Sequence, residues 1–178
     1  MTGVRLTDRG SYAGVTNLIF LPPRDEIRPV GCRIAAAERS TMTTDQLKDV
    51  ARRFFDEIWN QRDESAIDRF IPEHAAGNDP DFGSGREGFR RQWREWQTAF
   101  PDLRFEIVDL IAEGDKVLTR WVLTGTHQGD FLGLPATGTA IRVAGMSLDR
   151  VEDGLVAEGF DGWDALGLRR QLGLYTGE

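Results

Sequence analysis

The chain has 178 residues, 40% of them apolar and 29% charged, with a net charge of −7: enough for one well-formed core, short for two, and the wrong sign for a nucleic-acid backbone. No apolar run approaches the roughly 20 residues of a membrane span, and Gly14–Pro22 is too short, and lacks a following small-residue cleavage site, to read as a signal peptide. The single cysteine, Cys32, excludes an internal disulfide and points to a reducing cytoplasm; with only two histidines beside it no zinc-type ligand cluster assembles, so no metal, nucleic-acid or membrane partner is expected.

Met1 to Thr41 carries six arginines against four acidic residues, a surplus of two positive charges that leaves −9 for Met42 to Glu178. Directly after this seam, Met42-Thr43-Thr44-Asp45 has the makings of a protein start. Residues 1–41 are therefore read as an N-terminal extension or arm, with Val15–Leu21 as an added edge strand in the second case, and residues 42–178 as the domain. An intact Met1 in natively expressed protein, read by mass spectrometry, would remove the first case.

Thr43-x-x-Gln46 forms a capping box, and Leu47, Val50, Ala51, Phe54 and Ile58 recur at helical spacing, which predicts an amphipathic helix ended by Asn60-Gln61-Arg62-Asp63. Glu64–Ile71 reads as a short second helix with Ile67, Phe70 and Ile71 inward. Pro72–Gly85 is an irregular acidic loop holding His74, Asn78 and Asp79. A third helix, Arg86–Phe100, places Phe89, Trp93, Trp96 and Phe100 on one stripe, and Pro101-Asp102 stops it.

The period then changes from 3.6 to 2. Leu103–Ala112 and Lys116–Thr126 are strands about the turn Glu113-Gly114-Asp115. Thr139–Val151 and Leu155–Trp163 form a second pair about Glu152-Asp153-Gly154, and Asp164–Leu174 closes as a short helix. Helices first and a meander afterwards argue an α+β fold with helices covering one face of a curved antiparallel sheet. Between the two hairpins, Arg120–Gly138 begins as a strand with Trp121 and Leu123 on one face and Arg120, Val122 and Thr124 on the other. It then breaks at Gly125 into a loop with His127, Asp130 and Phe131-Leu132, an unusual mixture for a connector.

Five stretches carry a resemblance: WNQRDESAIDRFIPE (Trp59–Glu73), GREGFRRQW (Gly85–Trp93), FPDLRFEIVDLIAEGDKV (Phe100–Val117), RWVLTGTHQGDFLGLPATG (Arg120–Gly138) and RVEDGLVAEGFDGWDALGLRRQLG (Arg150–Gly173). Together they resemble the SnoaL-like polyketide cyclase, or ester cyclase, family of the nuclear transport factor two-like superfamily. The resemblance implies a cone-shaped, cystatin-like fold around an apolar pocket, a homodimer, and cofactor-free acid/base chemistry on a small hydrophobic or polyketide-like ligand. It also embraces members without activity, so a non-catalytic ligand-binding domain of the same fold is the alternative.

Aldol-type ring closure needs a base for a proton α to a carbonyl and a donor for the resulting oxyanion. A carboxylate suits the first task when an apolar cavity raises its pKa. Asp164 stands where the resemblance puts the family's acid/base aspartate; its other reading is the cap of the final helix. Alternation puts Asp149 and Ser147 on one face with Gly145 and Val143, so they project into the cavity if that face lines it; the other reading is an exposed Asp149 paired with an arginine. His127 matches the family's GTH motif and serves either the chemistry or the closure of its own loop. Substrate contacts are expected from Trp93, Arg120, Trp121, Ser147, Phe160 and Asn78, the aromatics reading as core and cavity wall rather than as a stacking platform, and Glu158 is either a cavity acid or a solvated charge. Arg120-Trp121-Val122 lacks the aspartate that limonene-type epoxide hydrolysis would need on this strand.

Overall fold

The computed structural model describes residues 42–77 and 85–175. The N-terminal extension or arm, residues 1–41, and the loop residue Asn78 lie outside the described residues.

The first helix, α1 (Thr44–Arg53), starts at the predicted capping box: the Gln46 amide donates to Thr43 Oγ1 at 3.2 Å and the Thr43 amide to Gln46 Oε1 at 2.8 Å. Leu47, Val50 and Ala51 form its buried stripe. The chain then widens into a π-helical segment, Phe54–Asn60, closed by the Gln61 amide on Asp56 O at 2.7 Å. The wider turn brings two adjacent pairs, Phe54-Phe55 and Ile58-Trp59, onto the buried side, which the ordinary α-helical spacing expected from sequence does not do. Asn60 ties this segment to the sheet, donating from Nδ2 to Phe105 O at 3.0 Å and accepting the Phe105 amide at 2.8 Å.

Helix α2 is short, Ala66–Phe70, and α3 runs Gly85–Ala99. Between them a two-residue strand β1, Ala76–Gly77, lies parallel to the last strand, an element that the loop reading of this region did not contain. The two predicted hairpins come next as β2 (Arg104–Glu113), β3 (Lys116–Thr126), β4 (Ala140–Glu152) and β5 (Leu155–Trp163), and α4 (Ala165–Gln171) ends the fold. The sheet order is β1-β5-β4-β3-β2, a curved and unclosed mixed sheet whose meander part is antiparallel.

Two extra residues shape it. Val108 is inserted in β2 between the pairs Ile107–Trp121 and Asp109–Arg120, and Ala157 in β5 between Val151–Val156 and Arg150–Glu158. Each bulge bends its strand and reverses the inward and outward sense of the residues beyond it. The aromatic core, including Phe54, Phe89, Trp93 and Phe100, fills the space between the helices and the inner sheet face.

Candidate functional site

The inner sheet face is written by register. Val117, Asp149 and Gly159 make one cross-strand row, Thr119, Ser147 and Asp161 the next, and Trp121, Gly145 and Trp163 the third. Opposite them stand Phe54, Phe55 and Trp59 of the π-helical segment and Trp96 of α3. Phe131 and Leu132 of the β3–β4 loop complete the wall, and the whole encloses a cavity of about 460 Å³. The site is thus an aromatic box with two carboxylates and a hydroxyl on its sheet side.

Two glycines stand beside the polar groups of the sheet side. A Cβ on Gly145 would stand 2.3 Å from Trp121 Cη2, so only glycine lets the indole lie across β4. There its Nε1–H donates to Ser147 Oγ at 2.9 Å, and Ser147 Oγ in turn donates to Asp161 Oδ1 at 2.5 Å. A Cβ on Gly159 would meet Asp149 Oδ1 at 3.3 Å, a tight contact that a small shift of the carboxylate relieves.

Asp149 is buried, 6% exposed, and faces inward with Ser147 as the alternation of β4 requires. Burial pushes its carboxyl well above the usual carboxylate range, because an anion there loses its hydration, and the neighbouring Asp161 charge pushes it further. Of its two sequence readings, exposed and arginine-paired or cavity-facing, the structure shows the second: Arg150 on the outer face is taken by Glu152 at 3.0 Å and Glu158 at 2.8 Å.

Several expectations are corrected. Asp164 is exposed and outside the cavity wall; its Oδ1 accepts the Gly167 amide at 2.7 Å, the N-cap of α4. Phe160 is 53% exposed on the outer face, with Glu158, because the Ala157 bulge reverses the parity of β5. The same reversal turns Asp161 inward, a cavity acid that plain alternation from Val156 points the wrong way. Arg120 also faces outward and is paired with Asp109, its Nε 2.6 Å from Oδ2. Trp93 is a core residue, its Nε1–H held by Ile58 O at 3.0 Å, and does not line the cavity. Trp121 and Ser147 line it.

His127 is fully buried outside the cavity wall. Its backbone closes the loop, the amide donating to Thr139 O at 2.9 Å and the carbonyl accepting the Gly138 amide at 2.8 Å, while Nδ1 accepts the Thr137 amide at 3.3 Å. The loop it pins carries Phe131 and Leu132 to the cavity, so His127 serves the site through its architecture. Among the described residues no group of three or more His, Cys, Asp and Glu gathers as a metal-holding cluster. No helix among them is long and apolar enough to cross a membrane.

A helix-covered curved sheet enclosing an apolar cavity with ionisable groups on its inner face defines a nuclear transport factor two-like protein. The SnoaL-like polyketide cyclase family model matches residues 49–172, and the chain belongs to that family. The structure is similar to TsrD from Streptomyces laurentii, with 31% identity, 75% of this chain and 99% of that one covered, and a TM-score of 0.70. It is similar also to AclR from Streptomyces galilaeus, a candidate hydroxylase, at 27% identity over 76% and 86% of the chains with a TM-score of 0.67. A third is IdmH from Streptomyces antibioticus, a candidate polyketide cyclase, at 28% identity over 72% and 99% with a TM-score of 0.64. No match is found among curated proteins.

Proposed function

We propose that this chain carries out cofactor-free proton transfer on a polyketide-like carbonyl compound, of the kind that closes a ring by aldol addition, with Asp149 and Asp161 as the groups that exchange protons with the ligand. The observation that carries this reading is the buried Asp149 carboxyl on the wall of an aromatic cavity, beside a second carboxylate. A cavity built only for binding gains nothing from a buried acid held against a like charge, which costs stability unless it is neutral. A candidate polyketide cyclase and a candidate hydroxylase are among the structural relatives, and ring closure by aldol addition begins with removal of a proton beside a carbonyl.

The test needs no knowledge of the product. A panel of aromatic β-keto esters and methyl ketones is incubated in D₂O with the full chain, and loss of the α-hydrogen signal is followed by NMR. Faster exchange with the native chain, lowered on the order of 100-fold when Asp149 and Asp161 are both changed to Asn and left intact in Asp164→Ala, is the expected result. A panel compound that binds in the cavity without exchange, its affinity indifferent to Asp149→Asn, establishes instead the non-catalytic ligand-binding domain.

The proposed partner besides the ligand is a second copy of the chain. Ile111, Leu118, Leu148 and Phe160 stand directly opposite one another on β2, β3, β4 and β5, an apolar row across the outer sheet face. Ile111, Leu148 and Phe160 are exposed at 61%, 41% and 53%, and the row is flanked by the Arg120–Asp109 and Arg150–Glu158 pairs.

A further inference from the structure

Two carboxylates in one cavity leave open which of them holds the proton, and the residues around them are not symmetric. We propose that Trp121 and Ser147 form a positioning relay that commits Asp161 to accept and Asp149 to donate, so that the cavity takes a ligand offering an acidic C–H to the first and a carbonyl oxygen to the second. This rests on the acid/base reading of the cavity and adds what divides the labour inside it.

The direction of the relay is set by the donor inventory. An indole Nε1–H only donates, so at 2.9 Å Trp121 occupies a lone pair of Ser147 Oγ. The serine hydrogen is then free to point at Asp161 Oδ1, across the register pair Ser147–Asp161. A carboxylate oxygen that receives such a bond is favoured in its ionised form. The indole is locked in this role by Gly145, where any side chain would collide with its ring. Asp149 sits one row away, opposite Gly159, against Val117, and is buried, whereas Asp161 lines the same cavity but is exposed to solvent. With Asp161 held as the anion, a second anion at Asp149 is opposed both by burial and by its neighbour. The other charged side chains on the cavity wall are Glu95 of α3 and Arg169 of α4.

The chemistry this arrangement supports is balanced. Asp161 takes a proton from the carbon α to a carbonyl, and the enolate carbon attacks a second carbonyl of the same ligand. One carbon–carbon bond forms as the π pair of that carbonyl moves onto its oxygen, and Asp149 gives its proton to the oxygen. The proton acquired by Asp161 then returns to Asp149, and the pair is restored with no net gain or loss.

The relay is tested by titrating the full chain labelled with ¹³C at the aspartate carboxyls, with the Asp149 and Asp161 resonances assigned from Asp149→Asn and Asp161→Asn. In the native chain the later titration step is carried by Asp149. In Ser147→Ala about half or more of that amplitude moves to the Asp161 resonance, since the anion has lost its donor. Ser147→Thr, which keeps the hydroxyl, returns it to Asp149. Asp161→Asn lowers the Asp149 midpoint while leaving it above the ordinary aspartate range. An amplitude that stays on Asp149 in Ser147→Ala overturns the relay while the acid/base reading stands. A native Asp149 that titrates like an exposed aspartate overturns both. Should Ser147→Ala fail to fold, Ser147→Cys, which replaces the hydroxyl by a weak thiol donor of similar shape, is read by the same shift of amplitude toward Asp161.

Discussion

Taking Asp149 out of water with Asp161 beside it has a thermodynamic consequence as well as a chemical one. Its folded-state carboxyl titrates well above its unfolded value, so between the two the folded chain holds a proton the unfolded chain has released. The stabilisation is complete below the unfolded value and is lost as pH rises through the folded one, at about 1.4 kcal/mol for each unit of separation. Chemical denaturation across a pH series is therefore expected to show the native chain losing stability as pH climbs from the ordinary aspartate range, and Asp149→Asn to flatten that slope. An unchanged slope in the variant would show that Asp149 is solvated. Period-2 patterning was sufficient to put Asp149 and Ser147 on one face. Phe160, expected at the cavity for its aromatic ring, faces outward and Asp161 inward, because one unpaired residue, Ala157, reverses the parity of β5 and no local signal marks it.

Among the elements, α4 and the β3–β4 loop illustrate how a polar residue can shape a site without touching a ligand. Asp164 spends its side chain on the first turn of α4, the helix that supplies Ala165, Leu168 and Arg169 to the cavity wall. Asp164→Ala is expected to lower stability by about 1 kcal/mol, as loss of an N-cap does, with ligand α-hydrogen exchange retained; a denaturation midpoint and the exchange rate check both halves. His127 plays a comparable part in the loop, joined to Thr137, Gly138 and Thr139 so that Phe131 and Leu132 reach the cavity. The capping box and both hairpin turns are local chemistry and were legible in the residues. The π-helical widening at Phe54–Asn60 was not, since the sequence there fits α-helical spacing.

On the scale of the molecule, the sheet has two faces of different character: one roofed by helices around the cavity, the other left uncovered by the described residues and crossed by the row Ile111, Leu118, Leu148 and Phe160. An apolar row flanked by charge pairs suits a self-complementary contact between copies. Sedimentation at micromolar concentration is expected to give a dimer for the native chain and a monomer for Leu148→Lys, with the Asp149 titration unaltered. A native chain that sediments as a monomer removes the second copy as partner.

The sequence by itself determined the order and type of the main elements and the family, because capping, turn and periodicity signals act over a few residues and the quoted stretches span most of residues 42–173. Only the tertiary structure decided which acids share the cavity. That outcome depends on a bulge, a wide helical turn and one glycine whose effect exists only when strands and helices meet, and on a loss of hydration that no residue carries until the rest of the chain has closed around it.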